Sequence, residues 1–438
     1  MNRSFFFLPV VRDLARGRLP GQIIIQMTDR CNAACPHCGM RRTNDYSRHD
    51  LAVDDIKRII DAAAARGVQA ISFTGGEPLL RLEALVQLIT HAGKAGIPMI
   101  RTGTNGFFLR QNGLRPDRWS GRVRDIAEKL AATPLRNFWI SLDSCVPEVH
   151  EEMRGLPGVV AGMEKALPIF HDCGIYPAVN LGVNRKMGGL HTYRLDAAEY
   201  ADEDAYLEQF YQVYRQGLEN FYRRIRNLGF TMANTCYPMS VDRGQKNQPQ
   251  AVYAATASDR LVRFRRAEKA VLFQVLLETV EKHRPFLRIF SPLTSLYTLY
   301  REYNDSLPRR LLPAPCRGGS DFFFIDARRG DTYPCGYRGQ ENLGKYWNLS
   351  ERHRDRGTEC RRCDWECFRD PSELLAPLLP AVTTPLRLMN RLLHDQAYLR
   401  HWLKDLSYYR ACGFFDGRQP PQPDRLADYS SGDPALRP

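Results

Sequence analysis

Between residues 22 and 183 the chain alternates short apolar segments with longer amphipathic ones, and this repetition constrains the fold most. The short segments have strand length, whereas the longer ones carry apolar residues at helical spacing. A strand–helix repeat predicts an α/β fold with a parallel sheet, open or closed into a barrel. Functional sites in such sheets lie at the carboxyl ends of the strands. The strands we predict cover residues 23–27, 70–73, 98–102, 137–142 and 176–183.

The chain has 438 residues, enough for two or three domains, and shifts in composition indicate where they meet. Leucine and aromatic residues at helical spacing predict a long helix over residues 207–228. The last stretch is rich in Pro, Gly, Asp and Ser, which is typical of disorder. We expect an N-terminal extension (1–20), a barrel (21–240), a helical connecting region (241–308), a cysteine-bearing module (309–370), C-terminal helices (371–412) and a disordered tail (413–438).

Three cysteines follow the first predicted strand in the run CNAACPHC, at positions 31, 35 and 38. Thiolates of Cys31, Cys35 and Cys38 can bind three irons of a four-iron cluster and leave the fourth iron open to another ligand. The alternative is a zinc site with His37 as the fourth ligand. A second motif, Gly75-Gly76-Glu77-Pro, follows the next strand.

Together, in this order and each after a strand, the two motifs resemble the radical S-adenosylmethionine (SAM) superfamily. The resemblance implies a partial (β/α)6 TIM-like barrel and an enzyme, either an oxidoreductase or a maturase. It also implies a [4Fe-4S] cluster whose open iron binds the amino and carboxylate groups of SAM. Reductive cleavage of SAM would then give a 5′-deoxyadenosyl radical that removes hydrogen from a substrate.

The same resemblance assigns residues to the SAM pocket. Backbone carbonyls of the two glycines would accept from the ammonium group, and Arg154 would contact the carboxylate. Ser141 and Asp143 match polar residues around the ribose, and His37 stands where the family usually has an aromatic residue against adenine. For Asn105 and the weaker candidate Asn184 a turn role is the alternative. The cofactor-binding set is Gly75, Gly76, Glu77, Asn105, Ser141, Asp143 and Arg154.

A second group of cysteines lies between residues 316 and 367. Cys316 and Cys335 flank a predicted β-hairpin, and a CxxCxxxC run follows at Cys360, Cys363 and Cys367. This module resembles the C-terminal extension called SPASM, or its shorter form called twitch. With five cysteines we expect one auxiliary [4Fe-4S] cluster held by Cys316, Cys335 and two or three of the others, and a structural zinc is the alternative.

The net charge of +13 suits an anionic substrate, a nucleic acid or an acidic membrane surface, and does not choose among them. Clustered cysteines with short gaps indicate metal binding in a reducing compartment, so we predict a cytoplasmic location. No apolar run is long enough to span a bilayer, although the apolar patch near the N-terminus could contact a membrane surface or pack on the domain. A reductase or a flavodoxin-type protein would supply electrons.

The first functional hypothesis is therefore a radical SAM enzyme that acts on a small molecule, a lipid or a peptide, with the auxiliary cluster accepting an electron. The alternative is a basic zinc-binding protein that binds nucleic acid, because arginines crowd the second cysteine module. Aromatic residues do not interleave with those arginines as base-stacking platforms require, which disfavours the alternative. The sequence identifies no catalytic residue on the substrate side.

Overall fold

A computed structural model describes residues 13–38, 47–238, 260–306, 315–350, 360, 364–375, 377–383 and 385–431. Its framework is a single nine-stranded sheet in the order β7-β6-β5-β4-β3-β2-β1-β8-β9. All neighbouring pairs are parallel except the last, β8 with β9. The strands are β1 (Gly21–Thr28), β2 (Val68–Gly75), β3 (Met99–Thr104), β4 (Asn137–Ser141), β5 (Ala178–Gly182), β6 (Met232–Cys236), β7 (Arg288–Ile289), β8 (Phe322–Ile325) and β9 (Thr332–Tyr333).

Helices connect the strands and cover the outer face of the sheet, so the expected α/β partial barrel is confirmed. The long helix expected from the aromatic stripe is present as α7. The helices are α1 (Val53–Ala65), α2 (Leu82–Lys94), α3 (Pro116–Ala131), α4 (Pro147–Arg154), α5 (Val159–Asp172), α6 (Leu190–Tyr193), α7 (Glu203–Leu228), α8 (Arg266–His283), α9 (Leu293–Tyr303), α10 (Glu366–Leu375), α11 (Leu378–Thr383), α12 (Pro385–His394), α13 (Gln396–Ala411) and α14 (Pro423–Ser431).

Side chains alternate between the two faces of each strand, as pleated backbone requires. In β2, Ile71 and Phe73 are buried in the layer between sheet and helices. Ser72 and Thr74, at the intervening positions, line a cavity on the inner face. The same alternation in the other strands gives the barrel an apolar outside and a polar inside.

The hairpin of β8 and β9 joins the barrel directly, which the sequence did not predict. Strand β8 pairs in parallel with β1, with Gln22 opposite Phe322 and Ile25 opposite Ile325. Phe322 and Phe324 then pack with Ile24 in a second, smaller apolar cluster. The cysteine-bearing module is therefore an extension of the barrel sheet.

The expected disordered tail after residue 412 is wrong for the residues that the structure describes. The backbone N–H of Tyr176 donates to Gly417 (2.7 Å), and Gly417 donates to Arg136 (2.8 Å). Phe415 and Leu426 are buried in a third apolar cluster beneath β5 and β6. These two apolar anchors outweigh the Pro- and Gly-rich composition, and the segment closes the end of the barrel where the strands begin.

The connecting region is helical over α8 and α9, and it adds the short strand β7, which the sequence did not predict. Residues 239–259, where the barrel was expected to give way to this region, lie outside the described residues.

No helix in the described part of the chain combines the length and the apolar character that crossing a membrane requires.

Candidate functional site

A cavity of about 530 Å³ occupies the inside of the barrel. Cys31, Cys35 and Cys38 border it at the carboxyl end of the sheet. Glu366 and Cys367 of α10 border it on the side of the C-terminal module. The cavity therefore lies between the two cysteine motifs, and residues from β1 to β6 line its wall.

The first cysteine loop begins where β1 ends, at Thr28. It is held at its middle by the N–H of Ala34, which donates to the backbone oxygen of Arg154 (2.6 Å). The Cys38 N–H donates to the Cys35 oxygen (3.2 Å), which turns the loop back on itself. Burial raises the pKa of the Cys35 thiol to about 12, so a thiolate there needs a nearby positive charge.

The two glycines of the second motif permit a close backbone approach to that loop. The Gly76 N–H donates to the Thr28 oxygen, and the Glu77 N–H donates to the Arg30 oxygen, both at 2.8 Å. A Cβ atom on Gly76 would overlap the Arg30 carbonyl, and one on Gly75 would crowd the Thr28 carbonyl. The glycines thus fix the start of the cysteine loop against the end of β2.

The side chain of Glu77 supports the turn that follows β2. Its carboxylate accepts from the N–H of Leu79 (3.0 Å) and from the N–H of Asn105 (2.7 Å). Its side chain is buried, and burial raises the pKa of this carboxyl to about 7. These contacts show that Glu77 supports the turn that follows β2.

Asp143 and Arg154 form a two-pronged ion pair beside the cysteine loop. Arg154 Nε lies 2.7 Å from Asp143 Oδ2, and Nη2 lies 3.0 Å from Oδ1. His150 Nδ1 accepts from the Asp143 N–H (3.0 Å), and His37 Nε2 lies 3.8 Å from Asp143 Oδ2. Burial opposes ionisation of Asp143, but the charges of Arg154 and His37 hold the pKa of this carboxyl below its ordinary value.

The two asparagines differ in position. Asn105 Nδ2 lies 2.9 Å from Asn32 Oδ1 and 3.7 Å from Cys31 Sγ, so this amide faces the cysteine loop. Asn184 Nδ2 donates to the backbone oxygen of Asp143 (2.8 Å), so it supports the segment that carries the ion pair. Ser141, at the end of β4, lines the cavity between them. Every predicted residue of the SAM pocket except Asp143 and Asn184 thus borders the cavity.

In the second module the thiols of Cys316, Cys335 and Cys360 converge on one small pocket, which Trp365 and Phe368 also line. The Cys316 N–H donates to the Cys360 oxygen (2.9 Å), so the hairpin and the later cysteine run are tied together. Cys363 lies outside the described residues.

Cys367, which we expected among the candidates for this cluster, faces the central cavity instead. Its thiol lies 3.2 Å from Glu366 Oε1, and its backbone oxygen accepts from the Gln22 amide (3.2 Å). Because α10 begins at Glu366, the helix turns Cys367 toward β1 and away from the thiols of Cys316 and Cys335.

Several cavity residues were not identified from the sequence. Arg101, Trp139 and Asn180 point inward from β3, β4 and β5, and Cys236 points inward from β6. The Cys236 thiol donates to Asn180 Oδ1 (3.2 Å). Their common signal is a polar or aromatic residue at the inward position of a strand whose outward positions are apolar.

Comparisons with known proteins agree with this arrangement. Residues 25–190 match the protein family described as the Radical SAM superfamily. An AdoMet-dependent heme synthase of Methanosarcina barkeri is 29% identical over 155 residues, which cover 34% of this chain and 40% of the relative. A GTP 3′,8-cyclase of Clostridium perfringens is 31% identical over 157 residues, which cover 34% of this chain and 44% of the relative. The match thus spans less than half of either relative.

Among solved structures, Streptococcus suis SuiB bound to the precursor peptide SuiA aligns with a TM-score of 0.50 and 15% identity. The alignment covers 82% of this chain and 73% of that one, and at this identity it shows a shared fold alone. Residues 25–190 of this chain thus carry a radical SAM superfamily domain, and the relatives that match this part of the chain are enzymes.

Proposed function

We propose that this protein is a radical SAM oxidoreductase or maturase that cleaves SAM reductively and removes hydrogen from a substrate held in the barrel cavity. One observation carries the proposal. The loop of Cys31, Cys35 and Cys38 borders the same end of a single cavity as every residue matched to SAM binding except Asp143 and Asn184. A substrate in that cavity would lie next to the cofactor and away from bulk water.

Cys31, Cys35 and Cys38 would hold the [4Fe-4S] cluster. All three cysteines border one end of the cavity, and three thiolates can bind three irons of a four-iron cluster and leave the fourth iron open to SAM. The cluster, when bound, would supply the electron that breaks the sulfonium carbon–sulfur bond of SAM.

The surrounding residues would bind and orient SAM. Arg154 offers a cation at the cysteine loop, and Asp143 fixes the guanidinium plane from behind. Asn105 presents its amide beside Cys31, and Ser141 presents a hydroxyl to the cavity. Glu77 and the two glycines would hold the cysteine loop at the end of β2.

We further propose an auxiliary [4Fe-4S] cluster in a SPASM- or twitch-like module, held by Cys316, Cys335 and Cys360 with Cys363 as the fourth ligand. The convergence of the first three thiols on one pocket supports these ligands. Such a cluster could accept an electron from a substrate radical. A cytoplasmic reductase or flavodoxin-type protein would serve as the electron donor.

Two described arginines of this module disfavour the nucleic-acid alternative. Arg317 pairs with Asp321 at 2.5 Å, and Arg338 pairs with Glu341. Carboxylates thus neutralise two of the cations that would have to meet phosphates.

Anaerobic reconstitution with iron and sulfide, followed by reduction in the presence of SAM, tests the main proposal. We expect 5′-deoxyadenosine from the wild-type protein and none from the variant with Cys31, Cys35 and Cys38 all replaced by alanine. Cys173→Ala, which changes a cysteine at the end of α5 away from both motifs, is the control and should form 5′-deoxyadenosine as the wild type does. Equal product from the triple variant, or a colourless zinc protein that shifts RNA or DNA in a gel, would overturn the proposal.

A further inference from the structure

Arg101 projects into the cavity from the middle of β3. It sits opposite Ser72 on β2 and opposite Asn137 on β4. Asn105, which contacts the first cysteine loop, comes four positions later, so Arg101 lies roughly 13 Å deeper at about 3.3 Å per residue. This part of the cavity is therefore distinct from the end that would hold SAM.

The guanidinium of Arg101 is only partly satisfied by the protein. Its Nε donates to Ser72 Oγ (3.0 Å), which fixes the side chain along the wall. Within the described ranges Arg101 makes no ion pair with a carboxylate. Burial lowers its pKa, and the Cys367 thiol opposes this effect in part.

The buried Arg288 is held by the backbone oxygens of Asp416 and Gln419 and by the Thr231 hydroxyl, and four other arginines with little exposure have carboxylate partners. Such partnered arginines are Arg154 with Asp143, Arg185 with Glu268, Arg284 with Asp405 and Arg369 with Glu302. Removing a cation from water without a partner is costly, so an arginine kept in this state inside a cavity indicates that something else supplies the negative charge.

Two carboxyl groups that line the cavity, Asp370 and Glu366, have other hydrogen-bond partners, although Glu366 Oε2 is buried without one among the described residues. Asp370 accepts from the hydroxyls of Tyr237 (3.0 Å) and Ser295 (2.6 Å). Glu366 Oε1 accepts from the Cys367 thiol (3.2 Å). The guanidinium thus retains N–H donors that face open space in the cavity.

Trp139 shapes the space beside the guanidinium. Its indole lies across Gly103, two residues after Arg101 on β3, where any side chain would overlap the ring. A flat aromatic wall next to a fixed guanidinium favours a ligand with an anionic group attached to a compact body.

We propose that Arg101 and Ser72 form a substrate-anchoring subsite that binds a carboxylate or phosphate group of the substrate. The guanidinium would donate two parallel hydrogen bonds to the oxyanion, and the Ser72 hydroxyl would hold the guanidinium in place. This subsite depends on the proposed function, because it gives the chemical class of the substrate that the proposed enzyme would bind in the cavity. It orients the bound molecule so that its opposite end points toward the cysteine loop.

The test measures equilibrium binding of small anions to the reconstituted protein with SAM present. The fluorescence of Trp139 and Trp365, which both line the cavity, reports the binding. The probes are succinate, inorganic phosphate and pyrophosphate at constant ionic strength, with succinamide as the uncharged match for succinate. Succinate distinguishes a carboxylate site from a phosphate site. We expect saturable binding of at least one anion and no binding of succinamide.

Arg101→Gln should weaken anion binding about 10- to 100-fold, the loss expected for hydrogen bonds to a charged group. Arg101→Lys keeps the charge without the two-pronged geometry and should bind with intermediate affinity. Ser72→Ala decides the question if Arg101→Gln does not fold, and it should weaken binding by several-fold. The control is Arg115→Gln, because Arg115 pairs with Asp117 on the exposed surface.

The subsite is overturned if no anion binds to the wild type, or if the foldable variants bind as tightly as the wild type. Failure of the proposed function has a different signature. In that case the wild type forms no 5′-deoxyadenosine on reduction, while anion binding remains dependent on Arg101.

Discussion

Arg154 and Asp143 form a buried ion pair in which two guanidinium nitrogens bind two carboxylate oxygens, at 2.7 and 3.0 Å. The backbone oxygen of Arg154 also accepts from Ala34, inside the first cysteine loop. One residue therefore links the charge arrangement of the pocket to the position of the cluster ligands. Gly155, which follows in a left-handed conformation, packs against the Ala34 side chain and closes this contact.

Replacing Asp143 by Asn should destabilise the protein and weaken SAM binding. The amide is similar in shape but leaves a buried guanidinium without its counter-charge, which costs about 3–5 kcal/mol of unfolding free energy. Denaturant titration measures the stability, and equilibrium dialysis measures SAM affinity. Asp172→Asn is the control, because its pair with Arg124 is exposed and contributes no more than about 1 kcal/mol. Equal losses in the two variants would contradict the assignment.

His150 should make stability fall as the pH is lowered below 6.5. Its Nδ1 accepts from the Asp143 N–H, and burial lowers the pKa of the imidazole to about 3. Between pH 6.5 and 3 the unfolded chain binds a proton that the folded protein does not, so unfolding free energy decreases as the pH falls. From pH 7 to pH 5 this group should remove about 2 kcal/mol.

His150→Asn tests this dependence, because an amide oxygen can accept the same hydrogen bond and does not titrate. Denaturation curves of both proteins at several pH values should show a shallower pH dependence for the variant. An unchanged slope would mean that other groups account for the loss.

The sequence predicted the barrel and the first cysteine loop because both depend on short-range patterns. Ser141 and Asn105 follow predicted strands, and the two glycines approach the backbone of Thr28 and Arg30 closely. The structure brings the two glycines, Ser141 and Asn105 to one end of the cavity. Short motifs and their family resemblance therefore grouped these residues correctly, whereas their role in binding SAM stays a prediction.

The substrate end could not be predicted in the same way. Arg101 looks like any exposed strand residue until its neighbours on β2 and β4 are known. The pairing of β8 with β1 joins residues about 300 positions apart, which no local pattern encodes. The direction of the Cys367 thiol depends on where α10 begins, and the burial of Leu426 depends on contacts beneath β5.

Gly76→Ala should disrupt the contact between the second motif and the cysteine loop. The added methyl group would overlap the Arg30 carbonyl, and the backbone must shift to relieve it, at a cost of about 1–3 kcal/mol. We expect lower thermal stability and less iron bound per chain after reconstitution.

Gly121→Ala is the control and should have the opposite effect on stability, because Gly121 lies in α3 with open space around it. That change should stabilise the helix by about 0.5–1 kcal/mol. Similar effects of the two substitutions would show that the close approach is unimportant.

Iron content should separate Cys367 from the other cysteines of the second module. Cys316 and Cys360 line the small pocket of the module, whereas Cys367 faces the central cavity beside Glu366. Cys316→Ala and Cys360→Ala should each lower bound iron, by up to about four atoms per chain, since each removes one of the four thiolates that would hold the auxiliary cluster. Cys367→Ala should keep the wild-type iron content and the wild-type absorbance of the reconstituted protein.

Circular dichroism of all three variants tests whether they are folded. Loss of the same iron from Cys367→Ala would place this thiol among the cluster ligands, and a wild-type content of only about four irons would refute the auxiliary cluster itself.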